Sequence, residues 1–149
     1  MGAAHSALLL LCARAAAQTA SFDWACQGGG STHADKGHAV AADSAGGYFV
    51  AGQFKGSATF GSTTIQCCTD NLNGIPNNSG SVMGTFLMHI SSSCNIDWVK
   101  ALDSTGSSAS TFIQPYALAS DGSGGVLLAA HFFGTVADGA VSITSTAQR

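Results

Sequence analysis

Two stretches of the chain carry the residue types of serine–histidine hydrolysis. Leu128, Ala129, Ala130 and His131 end in a histidine, and Ser44, Ala45, Gly46 and Gly47 set a serine beside two glycines. Such a pair works when the histidine takes the serine proton and neighbouring N–H groups hold the oxyanion. The pattern argues against it here. No Gly-Asp precedes Ser44, and each stretch has a copy elsewhere. His131 falls over Gln53, and Asp121-Gly122-Ser123-Gly124-Gly125 falls over the turn that begins at Asp43. A catalytic group needs no structural copy of itself, so no residue is assigned a catalytic role. Metal chemistry fares no better. Asp43 with Ser44, and Asp121 with Ser123, offer one carboxylate per turn, whereas Ca²⁺ takes six or more oxygens. His38, His89 and His131 fall one to a strand, as packing or surface histidines do. Cys67-Cys68 is not a C-x-x-C pair and no H-x-x-x-H follows it, so zinc spacing is absent. No G-x-G-x-x-G, P-loop or H-E-x-x-H occurs either. The sequence implies neither metal nor cofactor.

The cysteines point to structural chemistry instead. Residues 7–13 (ALLLLCA) form a short apolar run, followed by the small residues Ala15, Ala16 and Ala17, which a signal peptidase would cut near Gln18. Residues 1–20 therefore read as a signal peptide, with two departures: no Lys or Arg precedes the run, and Arg14 follows it. The start also fits the loose N-myristoylation pattern at Gly2, but the leucines favour secretion. The run is too short to span a bilayer. Cleavage would remove Cys12 and leave Cys26, Cys67, Cys68 and Cys94, with three possible pairings. Adjacent Cys67 and Cys68 would close a strained ring. Cys26 with Cys94 is the first pairing to test, since each lies close to a matching tryptophan, Trp24 or Trp98. Asn77-Asn78-Ser79 is an N-glycosylation acceptor for a eukaryotic secretory path.

The elements that must position these groups follow from composition and period. Only 9% of the 149 residues are charged, all 8 acids are Asp, and Gly is 19 against 2 Pro. A coiled coil or helical bundle would be rich in Glu, Lys and Arg. A net charge of −3 with 5 Lys plus Arg excludes a basic nucleic-acid binder. What remains is a β-rich, turn-rich chain, and it repeats itself. Residues 40–56 match residues 118–134 at an offset of 78, with Asp43, Gly46, Gly47, Ala51, Phe54 and Gly56 meeting identical residues. Phe22-Asp23-Trp24-Ala25 matches Ile96-Asp97-Trp98-Val99 at an offset of 74. Strands are expected over residues 38–42, 48–54, 86–90 and 96–102. Asp43-x-x-Gly46-Gly47 and Asp121-x-x-Gly124-Gly125 are tight turns, and Phe60-Gly61 and Asp138-Gly139 are hairpin turns. Residues 66–84 are polar and aperiodic, a long loop. Trp24, Trp98, Phe54 and Phe132 are the expected core.

Four short strands per unit is the pattern of a propeller blade. The order of Trp24, then Val40 through Phe54, then Ala58-Thr59-Phe60-Gly61-Ser62, then Phe86-Leu87-Met88-His89-Ile90, then Ile96-Asp97-Trp98-Val99 resembles the SBBP-type β-propeller repeat of surface and secreted proteins. The likeness covers residues 22–143. It departs in the long 66–84 insert, in the four cysteines and in copy number. It implies an all-β fold of antiparallel four-stranded blades, about one and a half of them. Unit one would span about 22–102 and a partial unit two about 103–145, within a repeat segment of 21–149. It carries no general catalytic motif. The expected function is an extracellular binding or structural module that recognises a protein or carbohydrate partner and no nucleic acid. The alternative is a fragment of a propeller-fold hydrolase or lyase whose site needs other blades. One and a half blades leave sheet edges uncovered, so further blades or self-association are expected.

Overall fold

The computed structural model describes residues 8–16, 19–31, 34–67, 83–102, 104–105, 112–138 and 141–145, with side chains from residue 24 onward outside 103–111. The chain runs as β1 (Leu8–Ala16), β2 (Thr19–Gly29), β3 (Lys36–Ala42), β4 (Tyr48–Phe54), β5 (Ser57–Phe60), β6 (Thr63–Gln66), β7 (Gly84–Ile90), β8 (Ile96–Leu102), β9 (Ser104–Thr105), β10 (Phe112–Ser120), β11 (Val126–Phe133), β12 (Thr135–Asp138) and β13 (Val141–Thr144). The described residues contain no helix. Every strand pairing is antiparallel. The strands form a β1-β2-β5-β6 sheet, a β3-β4-β7-β8 sheet, a β10-β11 hairpin and a β13-β12-β9 sheet. None of them closes on itself.

The repeat in the sequence is a repeat in the backbone. Strands β5 and β6 recur at the same bounds, 78 residues on, as β12 and β13. The register shift between Gly37 and Ala39 in the β3–β4 pair recurs between Pro115 and Ala117 in the β10–β11 pair. Val40 faces Val50 as Leu118 faces Leu128. Gly56 and Gly134 both take positive φ (72° and 98°), and their carbonyls receive the N–H of Cys67 and Ser145, each at 2.9 Å. Strand β5 follows β4 so closely because Gly56 can turn the chain where a side chain would be strained.

Strand β4 lies between two layers, which explains its continuous apolar run. Val50 and Phe54 face Phe86, Met88 and Ile90, and meet Cys26, Ala58, Phe60, Ile65 and Cys67 of the first sheet in one buried cluster. Phe60 packs on Phe86 at 4.7 Å between centroids. Phe49 and Ala51 point to the other face, next to which β10 runs. There the Ile113 carbonyl accepts from Gln53 Nε2 at 3.0 Å and from Thr85 Oγ1 at 2.7 Å. Among the described residues no second layer covers strand β11. Its side chains alternate between half-buried and exposed, and Leu127 is 67% exposed.

The expected core is only partly the observed one. Phe54 is fully buried and Trp24 is partly buried against the cluster, edge-on to Tyr48 at 5.6 Å. Trp98 is 37% exposed, because β8 is the outer strand of its sheet and Trp98 stands on the face away from the cluster. Phe132 is half-buried, because among the described residues no strand stands beside β11 as β7 stands beside β4. The apolar run read as a leader lies in β1, paired along its length with β2. Asn77 and Cys68 lie outside the described residues, as do residues 139–140 of the second hairpin turn.

Candidate functional site

A polar cluster forms where the β3–β4 turn meets the β7–β8 hairpin. Asp43 follows β3 and caps its own turn: Oδ1 accepts the N–H groups of Ala45 (2.8 Å) and Gly47 (2.6 Å). The Asp43 N–H in turn donates to the Gly47 carbonyl, and Gly46 takes φ 89° to close the loop. An aspartate suits this position because its short carboxylate reaches the backbone two residues on. Gly47 is required for a second reason. A Cβ there would meet the Ile90 carbonyl at 2.7 Å and His89 Nε2 at 2.8 Å.

The second oxygen of Asp43 contacts His89 Nε2 at 2.6 Å, and Nδ1 of the same ring contacts Asp97 Oδ2 at 2.7 Å. His89 stands on β7 and Asp97 enters β8, so one ring ties turn and hairpin together. Ionised carboxylates only accept, so a ring N–H is the donor towards them. Trp98 stacks beside the ring at 6.2 Å and Phe49 tilts against it at 4.9 Å, which shields these contacts from one side. The Asp43 side chain is 8% exposed, and that of Asp97 46%.

The bond from His89 does most to hold the Asp43 carboxyl below its ordinary 3.8, helped by the N–H groups of Gly47 and Ala45 and opposed by burial. Asp121 sits in the equivalent turn and is also held low, by the N–H groups of Ser123 and Gly125 and by the Ser123 hydroxyl. A folded pKa below the unfolded one means that the unfolded chain binds more protons in this range. The stability from these carboxylates is present above about pH 3.8 and is lost as pH falls through the lower folded values. Urea titrations at pH 6 and pH 3 are expected to show a clear loss for the wild type and a smaller loss for Asp43→Asn. An equal loss in both would remove Asp43 from the account.

The cluster's chemistry is that of a clamp. Both nitrogens of His89 and both oxygens of Asp43 are engaged, so the ring has no free atom with which to take a substrate proton. His38 bonds Gln53 Oε1 at 3.0 Å and His131 stands edge-on to Phe112 at 5.1 Å, so each histidine has its own setting. Among the described residues no three His, Cys, Asp or Glu side chains group as metal ligands. Cys26 of β2 and Cys94 of the β7–β8 turn lie at disulfide distance, with Cα atoms 5.9 Å apart, and join the two four-stranded sheets. Beside them a cleft lined by Cys26, Gly28, Phe60, Met88 and Ile96 encloses about 10 Å³, room for one water.

Sequence reading placed His89 in a strand but missed the clamp. The signal lay in the hairpin: His89 and Asp97 flank a short turn on adjacent strands, and Asp43 is the turn residue at the same end of the sheet. No protein-family model, curated protein or solved structure matches the chain.

Proposed function

We propose that the chain is an extracellular binding or structural module built from β-propeller-type repeats, in which the β3-β4-β7-β8 sheet is a blade. The observation that carries this reading is the repeat itself. The turn, bulge and hairpin recur 78 residues apart, while the polar cluster serves to fasten one unit rather than to present a reactive atom. A disulfide-distance pair between sheets suits an oxidising compartment. No helix among the described residues is long and apolar enough to cross a membrane. The partner is a protein or carbohydrate met by loops at one end of the sheets. The alternative, a portion of a propeller hydrolase or lyase, rests on blades outside this sequence.

Residues 8–16 serve either as a removed leader or as β1, and the extracellular reading depends on neither, because the Cys26–Cys94 pair supports it. Expression of the full chain is expected to yield secreted protein in which Cys26 and Cys94 resist alkylation until reduced, and which binds a glycan or cell-surface protein array without turnover. Cytosolic protein with both thiols open to alkylation would overturn the reading. Turnover of an ester, peptide or glycoside by the chain alone would favour the enzyme.

A further inference from the structure

Strand β1 copies β7, and β2 copies β8. Cys12 faces Trp24 as His89 faces Trp98, and Leu8 faces Gly28 as Thr85 faces Leu102. The register shift between Cys12 and Ala13 falls where the shift between His89 and Ile90 falls. Strands β1 and β2 are thus the last two strands of a unit, and β10 and β11 are the first two of another. Within the complete unit, β4 pairs with β7 along its whole length. Among the described residues β11 pairs only with β10, and β1 only with β2. The two edges are the two halves of the β4–β7 seam.

We infer that β11 of one copy of this chain pairs antiparallel with β1 of a second copy, in the register of β4 on β7, to complete a four-stranded β10-β11-β1-β2 sheet across the two molecules. The inference rests on the repeat reading above. Transferring the β4–β7 register sets Leu127 opposite Cys12, Leu128 opposite Leu11, Ala129 opposite Leu10 and Ala130 opposite Leu9 of the second copy. Residue sizes fit this pairing. Gly52 lies opposite Phe86, and a Cβ on Gly52 would run into the Phe86 ring and the Lys36 carbonyl. At the equivalent seam position Ala130 replaces Gly52 and Leu9 replaces Phe86, so a methyl gained on one strand matches volume lost on the other. The exposed face of β11, with Leu127 at its centre, corresponds to the Phe49 face that β10 flanks, and β3 of the second copy would flank it in the same way. The contact is heterologous, head to tail, and so propagates.

Cysteine linking in the full chain tests the register. Leu127→Cys is expected to oxidise to Cys12 of a second copy, and Leu128→Cys with Leu11→Cys, in a Cys12→Ser background, to do likewise. These two pairs sample both kinds of antiparallel site. Intermolecular ladders on a non-reducing gel, with the linked peptides identified by mass, should exceed those of the off-register Val126→Cys by ten-fold or more. Equal linking at positions 126 and 127, or a compact monomer by sedimentation at micromolar concentration, would overturn the assembly. Circular dichroism separates the two failures. A β-rich monomer without the linked peptides defeats the head-to-tail pairing alone, whereas a helical or unfolded spectrum defeats the repeat reading beneath it as well.

Discussion

Replacing Phe86 by alanine is expected to destabilise the chain by about 3–5 kcal/mol, the cost of removing a buried phenylalanine. Phe86 is fully buried and occupies the middle of β7, where it meets Phe60 of the first sheet and Phe54 of its own. The site cannot collapse easily. Gly52 opposite offers no side chain to move into the space, and Phe60 is held by Gly28, where any Cβ would strike the Phe60 ring. Domains are stable by only about 5–15 kcal/mol, so the variant should unfold at much lower urea. Exposed Leu127→Ala is the control and should move stability by less than about 1 kcal/mol in the monomer. A small effect at Phe86 would mean that the two sheets do not share one core.

Removing the Cys26–Cys94 link is the second large effect. The two residues are 68 apart in sequence, and closing a loop of that size restrains the unfolded chain by about 4 kcal/mol. The link also fixes the joint between the sheets, since β2 holds one end and the β7–β8 turn the other. Cys94 is the one described non-glycine residue at positive φ, 64°. The replacement at 94 therefore matters. With Cys26→Ala, a glycine at 94 is expected to retain about 1 kcal/mol more than an alanine, because only glycine accepts that backbone without strain. Urea unfolding of oxidised wild type, Cys26→Ala/Cys94→Ala and Cys26→Ala/Cys94→Gly checks both statements. Equal stability in all three would show that the loop is not closed in the folded protein.

Much of the local structure could be read from the sequence. The turns at Asp43 and Asp121 and the strands β3, β4, β7 and β8 are short-range features, set by glycine positions and apolar runs, and they fall where the sequence places them. Features that depend on which strand neighbours which were harder to read. A tryptophan reads as core, but Trp98 lies on an outer strand and covers a histidine held between two aspartates. Strand β4 and strand β11 look alike in sequence, yet one is covered on both faces and the other is half bare. Neighbouring strands decide that, and a one-dimensional pattern does not contain them. The leucine run at residues 8–11 is ambiguous for the same reason. Four leucines suit a secretion signal as well as a sheet, and only their register against β2 reveals the likeness to β7. The clamp at His89 needed three segments to be brought together, so no single motif announced it.

The chain between β6 and β7 is pinched at its base. The Cys67 N–H donates to the Gly56 carbonyl, and the Gly84 N–H donates to Cys67 Sγ at 3.2 Å, so residues 67 and 84 touch whatever lies between them. Closing a longer loop across a fixed gap costs little: each doubling in length adds only about 0.6 kcal/mol. Cys67 and Gly84 are 17 apart in sequence, and a separation of about thirty would cost nearly the same. Changes of length between residues 67 and 84 are therefore expected to leave the ends of β6 and β7 together, because the two contacts at Cys67 hold them there.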